Sequence, residues 1–320
     1  MTDGSGRGLK LGRREFLCGL PAAAAAGAVG MAARRAGAAP AAKAVPLPAI
    51  RLGKHRVTRL IAGGNPIGGY SQPTLNLSRH MLEYFTVERT IAFVEKCQRE
   101  GIDTWQSGHS EKTVRALRAV REKGSKIQFI CLHAAGDAGL GRVIQDTRPI
   151  AIVHHGGVTD RLFRAGKAQQ VRDFVKQVRD RGVPAGVSAH NPDNIKRVAD
   201  EGWDVDLFMT CFYYVTRPKE EQKRLGKVTV GMPFFESDPA DMTQVMRQVT
   251  KPCLGFKILA AGRLCWSKQS VERAFRFAFG NIKPTDGVIV GMYPRFHDEV
   301  RDNVGYTRKY GSAAARSRRD

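Results

Sequence analysis

The feature that most constrains the fold of this 320-residue chain is a regular alternation of short apolar segments with longer amphipathic segments. The short segments have strand composition, and the longer ones carry apolar residues at helical spacing. Strands that alternate with helices of about 10–15 residues indicate a parallel sheet. Eight such units favour closure into a (β/α)8 TIM barrel with a single domain, in the α/β class.

The predicted elements follow this alternation from the first strand to a final helix. The predicted strands are 59–64, 103–105, 126–132, 150–154, 185–188, 206–211, 252–258 and 286–291. The predicted helices are 86–100, 111–123, 169–181, 193–201, 239–249, 271–280 and 296–310. The sequence contains neither GxGxxG nor GxxxxGK[ST], so neither a Rossmann unit nor a P-loop is supported.

Histidine residues stand at the ends of three consecutive predicted strands. His133, the pair His154 and His155, and His190 occupy these ends, and Cys211 ends the next strand. The carboxyl ends of barrel strands meet on one face, which carries the active site. Strand side chains alternate, so only one of His154 and His155 points into the barrel, and the sequence does not decide which. The alternative is that some are hydrogen-bonded core histidines.

The amino terminus has the pattern of an export signal. Residues 12–17 (GRREFL) are similar to a twin-arginine motif, an Ala-rich apolar segment follows, and Ala-x-Ala sites stand at 36–38 and 42–44. We therefore expect a twin-arginine signal peptide and linker over 1–44 and a barrel over 45–310. A disordered basic tail is expected over 311–320. This pattern predicts a periplasmic or otherwise exported protein that is recognised by the twin-arginine export machinery.

The charge of the chain is strongly basic, with a formal net charge of +22, of which the predicted leader contributes a small part. Such a surface favours acidic partners, including acidic polymers, although it can also be simply a solvated basic surface. No nucleic acid is expected as a partner. The basic residues are scattered over helices, without an arginine-rich stripe interleaved with aromatic residues.

Several segments resemble motifs of the aldo-keto reductase superfamily. The matching segments are 60–69 (LIAGGNPIGG), 101–107 (GIDTWQS), 186–188 (GVS), 288–292 (VIVGM) and 300–304 (VRDNV). They correspond to the first strand and its loop, the second unit, the fifth strand, and the eighth strand with the helix after it. The resemblance runs from about Leu52 to Val304. It implies a TIM barrel and carbonyl reduction with NADP(H).

The resemblance also implies a non-standard active site. The superfamily uses an Asp, Tyr, Lys and His tetrad, in which the Tyr donates the proton. Here the Asp position aligns with Gln106, and the Tyr position falls in a shortened turn where His109 can substitute. The Lys position falls at or just before His133. The His is retained as His154 or His155.

The same resemblance assigns positions that would hold the nicotinamide cofactor. The matching residues are Ser188 on the fifth strand, Tyr213 or Tyr214 as a stacking ring, Asp302 and Asn303 at the adenine, and Arg295 nearby. The favoured function is therefore an oxidoreductase that acts on a small carbonyl or sugar-like substrate. In that function His154, His155 or His109 would be the acid.

A second hypothesis is a metal-dependent lyase, isomerase or hydrolase. Imidazole groups from three adjacent strands, His133, His155 and His190, can hold zinc, manganese or iron with one position open for water or substrate. Lys257 could act instead as a base or a Schiff-base amine, or could be an ordinary surface lysine. The third hypothesis is a non-catalytic carbohydrate-binding barrel with aromatic residues near strand ends that stack on sugar rings.

Overall fold

The computed structural model describes residues 45–134 and 137–312. The predicted leader over 1–44 and nearly all of the predicted tail lie outside these residues. The strands are β1 (Ala49–Leu52), β2 (His55–Thr58), β3 (Leu60–Gly63), β4 (Thr104–Gly108), β5 (Gln128–His133), β6 (Ala151–His154), β7 (Ala185–Ala189), β8 (Leu207–Cys211), β9 (Cys253–Phe256) and β10 (Gly287–Gly291).

Eleven α-helices lie between and after these strands in the described part of the chain. They are α1 (Leu75–Tyr84), α2 (Val87–Arg99), α3 (Glu111–Glu122), α4 (Asp137–Thr147), α5 (Gly156–Arg164), α6 (Ala168–Arg179), α7 (Pro192–Asp200), α8 (Lys219–Arg224), α9 (Asp238–Gln248), α10 (Lys268–Asn281) and α11 (Glu299–Tyr310). A short 3-10 helix spans Ala260–Gly262.

Strands β3 to β10 form a closed parallel barrel in the order β10-β3-β4-β5-β6-β7-β8-β9. The barrel closes between its last and first strands, where Val288 pairs with Leu60 and Gly291 pairs with Gly63. Each of the eight predicted strands overlaps one barrel strand. The predicted TIM barrel is therefore confirmed.

The side chains of the barrel strands divide between two apolar layers. Those facing the inside of the barrel form one buried cluster, which includes Ile61, Val153, Met209, Leu254 and Ile289. Alternate residues face outward and pack against the helices in a second, larger cluster. Because strand side chains alternate, this division also decides which residues at the strand ends can reach the barrel interior.

An antiparallel hairpin of β1 and β2 precedes the barrel, and the sequence did not predict it. Its turn contains Gly53, whose φ of 57° lies in the left-handed region that glycine adopts without strain. Ile50, Leu52 and Val57 from the hairpin belong to the same buried cluster as the barrel interior. Three of its apolar side chains therefore complete the interior core.

The capping residues of α2 agree with their prediction. The Thr86 side chain accepts a hydrogen bond from the backbone N–H of Arg89, as an N-cap threonine does. Gly101 follows the helix with a φ of 98°, so it accommodates the left-handed turn that ends the helix.

Helices α1, α4, α5 and α8 were not predicted from the sequence. Helix α1 contains no buried residue, and α5 begins with Gly156 and Gly157, which disfavour helix interiors. Strand β9 is also shorter than predicted and ends at Phe256. Lys257 therefore lies after the strand, in the loop.

None of the described helices combines the length and apolar character needed to span a membrane.

Candidate active site at the mouth of the barrel

The carboxyl ends of the barrel strands bring several predicted site residues to one mouth. Ser188 on β7 and His190 just after it lie at inward-facing positions, because Val187 and Ala189, which alternate with them, belong to the outward layer. His155 comes one residue after the outward-facing His154 and therefore faces the mouth. We use the term barrel mouth for this end of the barrel.

Two of the predicted histidines face away from the barrel interior. His133 and His154 are register partners on β5 and β6, and both rings lie near Phe174 of α6, with centroid distances of 6.5 and 4.8 Å. His154 is 2% exposed, and its Nδ1 lies 2.7 Å from the Thr159 hydroxyl oxygen. His154 is thus a core histidine, and the prediction of it as an acid for the substrate is wrong.

His109 also lies outside the barrel mouth. Its Nε2 is 2.9 Å from a carboxylate oxygen of Asp146 on α4, and burial together with the neighbouring His109 lowers the pKa of the outward-facing His133. The structure thus places His109 between the barrel and its helices. The expectation that His109 replaces the proton-donating tyrosine is not supported by this position.

The three predicted metal ligands do not come together. His133 faces the helix layer, whereas His155 and His190 face the barrel mouth, because strand side chains alternate. Across the described residues, no group of three or more His, Cys, Asp and Glu side chains could hold one metal ion. The predicted set of His133, His155 and His190 is therefore not a shared site.

The barrel mouth contains a buried Asp–His pair that the sequence did not reveal. Asp160, on α5, accepts hydrogen bonds from His190 Nδ1 at 2.8 Å and from the His190 backbone N–H at 3.0 Å. The same carboxylate accepts from Asn194 Nδ2 and from the Thr216 hydroxyl, both at 2.9 Å. Because a carboxylate only accepts, Nδ1 of His190 carries the proton in this pair, and its Nε2 is left for other partners.

The charge of Asp160 is maintained despite its burial. Burial raises the pKa of the Asp160 carboxyl, but the hydrogen bonds from His190 and Asn194 outweigh it and hold that pKa below its ordinary value. A buried carboxylate that orients an imidazole is the arrangement that enzymes use for proton transfer. The one signal for this pair in the sequence is that Asp160 lies on α5, the helix that directly follows the strand ending at His154.

His155 lies beside this pair, near the basic side chains of His190 and Lys257. Burial lowers the pKa of His155, and the neighbouring charges of His190 and Lys257 lower it further. His155 is thus neutral at pH 7. Ser188 lies nearby: a Cβ built on Gly156 would be 2.9 Å from the Ser188 hydroxyl oxygen and 3.2 Å from Cε1 of His190. The buried Ser188 hydroxyl has no hydrogen-bond partner in the described residues.

A cavity of ≈ 250 Å³ opens between the ends of β3, β4, β9 and β10. We call it the mouth cavity, and its walls include Gln106, Phe256, Lys257, Ile289 and Glu299. The Phe256 ring centroid lies 5.6 Å from that of His190. Phe256 therefore connects the wall of the cavity to the Asp160–His190 pair.

A second cavity of ≈ 280 Å³ adjoins the first on its outer side. We call it the outer cavity, and its walls include Trp266, Asp302, Asn303 and Tyr306. The two cavities share the lining residues Leu259, Cys265 and Glu299. Together they form a groove that leads from the barrel mouth to α11.

Two buried amide side chains stand near the two ends of this groove. Gln106, which lines the mouth cavity, is 7% exposed, and Asn303, which lines the outer cavity, is 3% exposed. Neither side chain makes a hydrogen bond to any residue that the structure describes. Because neither amide is among the fully buried polar atoms that lack a partner, both can be reached from the cavities that they line, and each can bind a ligand there.

Other predicted cofactor residues lie away from the groove. Tyr213 packs against Phe234 with a centroid distance of 5.1 Å, and the Arg217 guanidinium lies 4.6 Å from the Tyr214 ring centroid. Arg295 is exposed on the surface beside Phe296. Neither Tyr213, Tyr214 nor Arg295 lines the mouth cavity or the outer cavity. All three residues lie in the segments that follow β8 and β10, and these segments carry their side chains away from the groove.

The burial of His154 predicts acid sensitivity of the fold. Burial lowers the pKa of His154 from 6.5 to about 4, so in acid the unfolded chain binds a proton that the folded chain does not. The free energy of unfolding is highest above pH 6.5 and falls by about 3 kcal/mol as the pH drops towards 4. Each unit of difference between the folded and unfolded pKa contributes about 1.4 kcal/mol. Urea unfolding at pH 7.5 and 5.0 should show about 2 kcal/mol of this loss, because pH 5.0 lies about 1.5 units below 6.5. A His154→Gln variant should lose much less between the same two pH values; an equal loss would contradict the assignment.

Comparisons with known proteins support the fold. No protein-family model and no curated protein matches this sequence. The chain is similar in structure to Gox0644 in its apo form, with a TM-score of 0.50 and 11% identity over 84% of this chain and 90% of that one. A candidate 2,5-diketo-D-gluconic acid reductase B gives a TM-score of 0.50 and 10% identity, over 85% and 91%.

A third similar structure is the dihydropteroate synthase of Xanthomonas albilineans. Its TM-score is 0.48, with 12% identity over 84% of this chain and 98% of that one. At such identities, likeness to Gox0644 and to the candidate reductase concerns the fold alone. The chain is thus a TIM barrel whose structural neighbours include a candidate reductase.

Proposed function

We propose that this protein is an oxidoreductase, a divergent relative of the aldo-keto reductases, that binds a nicotinamide dinucleotide along the mouth and outer cavities. The observation that carries this proposal is the pair of amide side chains, Gln106 and Asn303, that line the two ends of one groove and make no hydrogen bond within the described residues. A dinucleotide has a hydrogen-bonding carboxamide at one end and an adenine at the other. It can therefore pair with both amides at once.

The size and charge of the groove agree with such a ligand. Ligand pockets usually measure about 300–1,000 Å³, and the cavities of ≈ 250 and ≈ 280 Å³ reach that range together. Glu299 lines both cavities, and burial raises the pKa of its carboxyl. A carboxyl that protonates more easily repels a diphosphate less. His297 and Lys268 line the outer cavity and can bind phosphate, although the Lys268 amine also pairs with Asp302 at 2.9 Å.

The chemistry divides between the ligand and the chain. When bound, the nicotinamide would supply the hydride. The chain's part is the proton: Nδ1 of His190 donates to Asp160, so Nε2 is the atom that releases or accepts a proton at the substrate oxygen. Asp160 stabilises the imidazolium form. His155, which is neutral at pH 7, can orient the substrate by a hydrogen bond.

This assignment replaces the tetrad of the superfamily with a different proton donor. Gln106 stands where the Asp of the tetrad is expected, and no Tyr–Lys pair follows it. A small carbonyl or sugar-like substrate would lie at the barrel mouth, between the Asp160–His190 pair and the mouth cavity. Phe256, which lies beside both, would form an apolar side wall and leave the nicotinamide in contact with the substrate.

Calorimetric titration with NADP⁺ and NADPH tests the proposal. The Gln106→Met and Asn303→Leu variants keep side-chain size but remove the amides. We expect each to weaken binding about tenfold or more, because the loss of a hydrogen bond to a buried group costs about 1–3 kcal/mol. Asn281→Leu is the control, since the Asn281 amide donates to the Phe277 carbonyl at the end of α10. Wild-type affinity in both groove variants would refute the proposal.

A further inference from the structure

Lys257 occupies an unusual backbone position at the barrel mouth. It follows Phe256, the last residue of β9, and has a φ of 59°. Ala260 and Ala261, in the same loop, also have positive φ values of 48° and 52°. Non-glycine residues seldom adopt this left-handed conformation, and such strain is concentrated at functional sites. The strained loop turns Lys257 into the wall of the mouth cavity.

The amine of Lys257 lies in a setting that disfavours its charge. In the described part of the chain, no carboxylate lies within ion-pair distance of its Nζ. Nζ is 5.7 Å from the Phe256 ring centroid, and burial lowers the pKa of the Lys257 amine. The titratable groups that interact with it are His155, the Cys211 thiol and the Arg263 guanidinium.

We propose that Lys257 is a nucleophilic amine that condenses with small aldehydes or ketones at the barrel mouth to form a Schiff base. The geometry that carries this proposal is a partly buried lysine without an acidic partner, held by a strained loop in the wall of the mouth cavity and near the ring of Phe256. Amines activated by desolvation in this way form Schiff bases with carbonyl substrates. The activity goes beyond hydride transfer and does not depend on a bound dinucleotide.

The proposed step balances without any other reagent. The lone pair of Nζ attacks the carbonyl carbon, a C–N bond forms, and the carbonyl electron pair moves to oxygen, which takes a proton. The resulting carbinolamine loses its oxygen as water. That water carries away one hydrogen from the nitrogen and one proton from solvent, and an iminium ion remains.

Reductive trapping tests the proposal directly. The purified protein would be incubated at pH 7 with glycolaldehyde or pyruvate and sodium cyanoborohydride, without NADP(H), and analysed by intact-mass and peptide mass spectrometry. We expect about one adduct per chain, located on Lys257. Because the lowered pKa leaves more of the Lys257 amine uncharged, the exposed lysines should react more slowly, and the Lys257 adduct should be the dominant one.

Two variants make the test specific. Lys257→Arg keeps the positive charge and should lose the dominant adduct, whereas Lys196→Arg, at an exposed lysine paired with Asp200, should keep it. If Lys257→Arg does not fold, peptide mapping of the wild-type protein alone decides. Adducts spread over the exposed lysines, or a dominant adduct on another residue, would overturn the proposal. Binding of NADP⁺ to the same samples is measured separately, so the two proposals can fail independently.

Discussion

The Asp160→Ala variant is expected to lose about 3–5 kcal/mol of unfolding free energy, as is typical when one partner of a buried charged group is removed. Asp160 is 3% exposed and accepts hydrogen bonds from His190, Asn194 and Thr216. The substitution leaves all these donors without their acceptor in a place that water reaches poorly. Each unsatisfied buried group adds about 1–3 kcal/mol.

Asp160→Asn separates the structural role of this residue from its chemical role. The amide keeps the volume of the side chain but cannot stabilise a charged imidazole as a carboxylate does. In a Ser-His-Asp triad the same change lowers turnover about 10⁴-fold. We expect a loss of about 10²–10⁴-fold in turnover of a carbonyl substrate, with a smaller loss of stability than in Asp160→Ala.

Urea unfolding and ¹⁵N NMR of the His190 ring measure these effects. In the wild-type protein the proton should lie on Nδ1, and in Asp160→Asn this preference should weaken. Asp200→Ala is the matched control, because Asp200 is exposed and its pair with Lys196 spans one helical turn. Exposed pairs of this kind contribute about 0.3–0.5 kcal/mol. A loss in Asp160→Ala no larger than in this control would contradict the account.

The Arg59→Met variant is expected to lose a comparable amount, about 3–5 kcal/mol, without any change at the barrel mouth. Arg59 is 4% exposed and precedes β3. Its guanidinium donates to the backbone carbonyls of Asp286 at 2.7 Å, Gly311 at 2.5 Å and Lys283 at 2.9 Å. The side chain thus ties the first barrel strand to the segment before the last one and to the end of α11.

Methionine would preserve the apolar contacts of Arg59 but not its donors. The guanidinium also lies 4.8 Å from the Phe279 ring centroid, so the variant loses this cation–π contact as well as the hydrogen bonds. Arg56→Met, at an exposed position on β2, is the control and should change stability by no more than about 0.5 kcal/mol. Equal unfolding free energies in the two variants would show that the carbonyl contacts of Arg59 contribute little.

The barrel could be predicted from the sequence because its signal is repeated eight times. Each strand is a short apolar run, and errors at single boundaries do not change the count. The hairpin of β1 and β2 was missed because its strands are only four residues long and contain exposed polar positions. Helix α5 was missed because two glycines open it, although packing against β7 is enough to hold it.

The candidate site was less predictable, because it depends on which way each side chain points. His154 and His155 are adjacent in sequence, yet one lies in the helix layer and the other at the mouth. A strand boundary one residue later would exchange them. Asp160 was missed because its partner, His190, lies 30 residues away and the contact exists only in the folded barrel. Gln106, Asn303 and Lys257 were found from the sequence, but their burial was not.

The most direct test of the proposed dinucleotide site is a saturation-transfer-difference NMR experiment with NADP⁺ and the wild-type protein. If the ligand lies along the groove, the nicotinamide protons should receive saturation from the mouth cavity, and the adenine protons should receive it from the outer cavity. Both signals should decrease on competition with NADPH. Absence of saturation at both rings, with the protein folded and the ligand at millimolar concentration, would contradict the account.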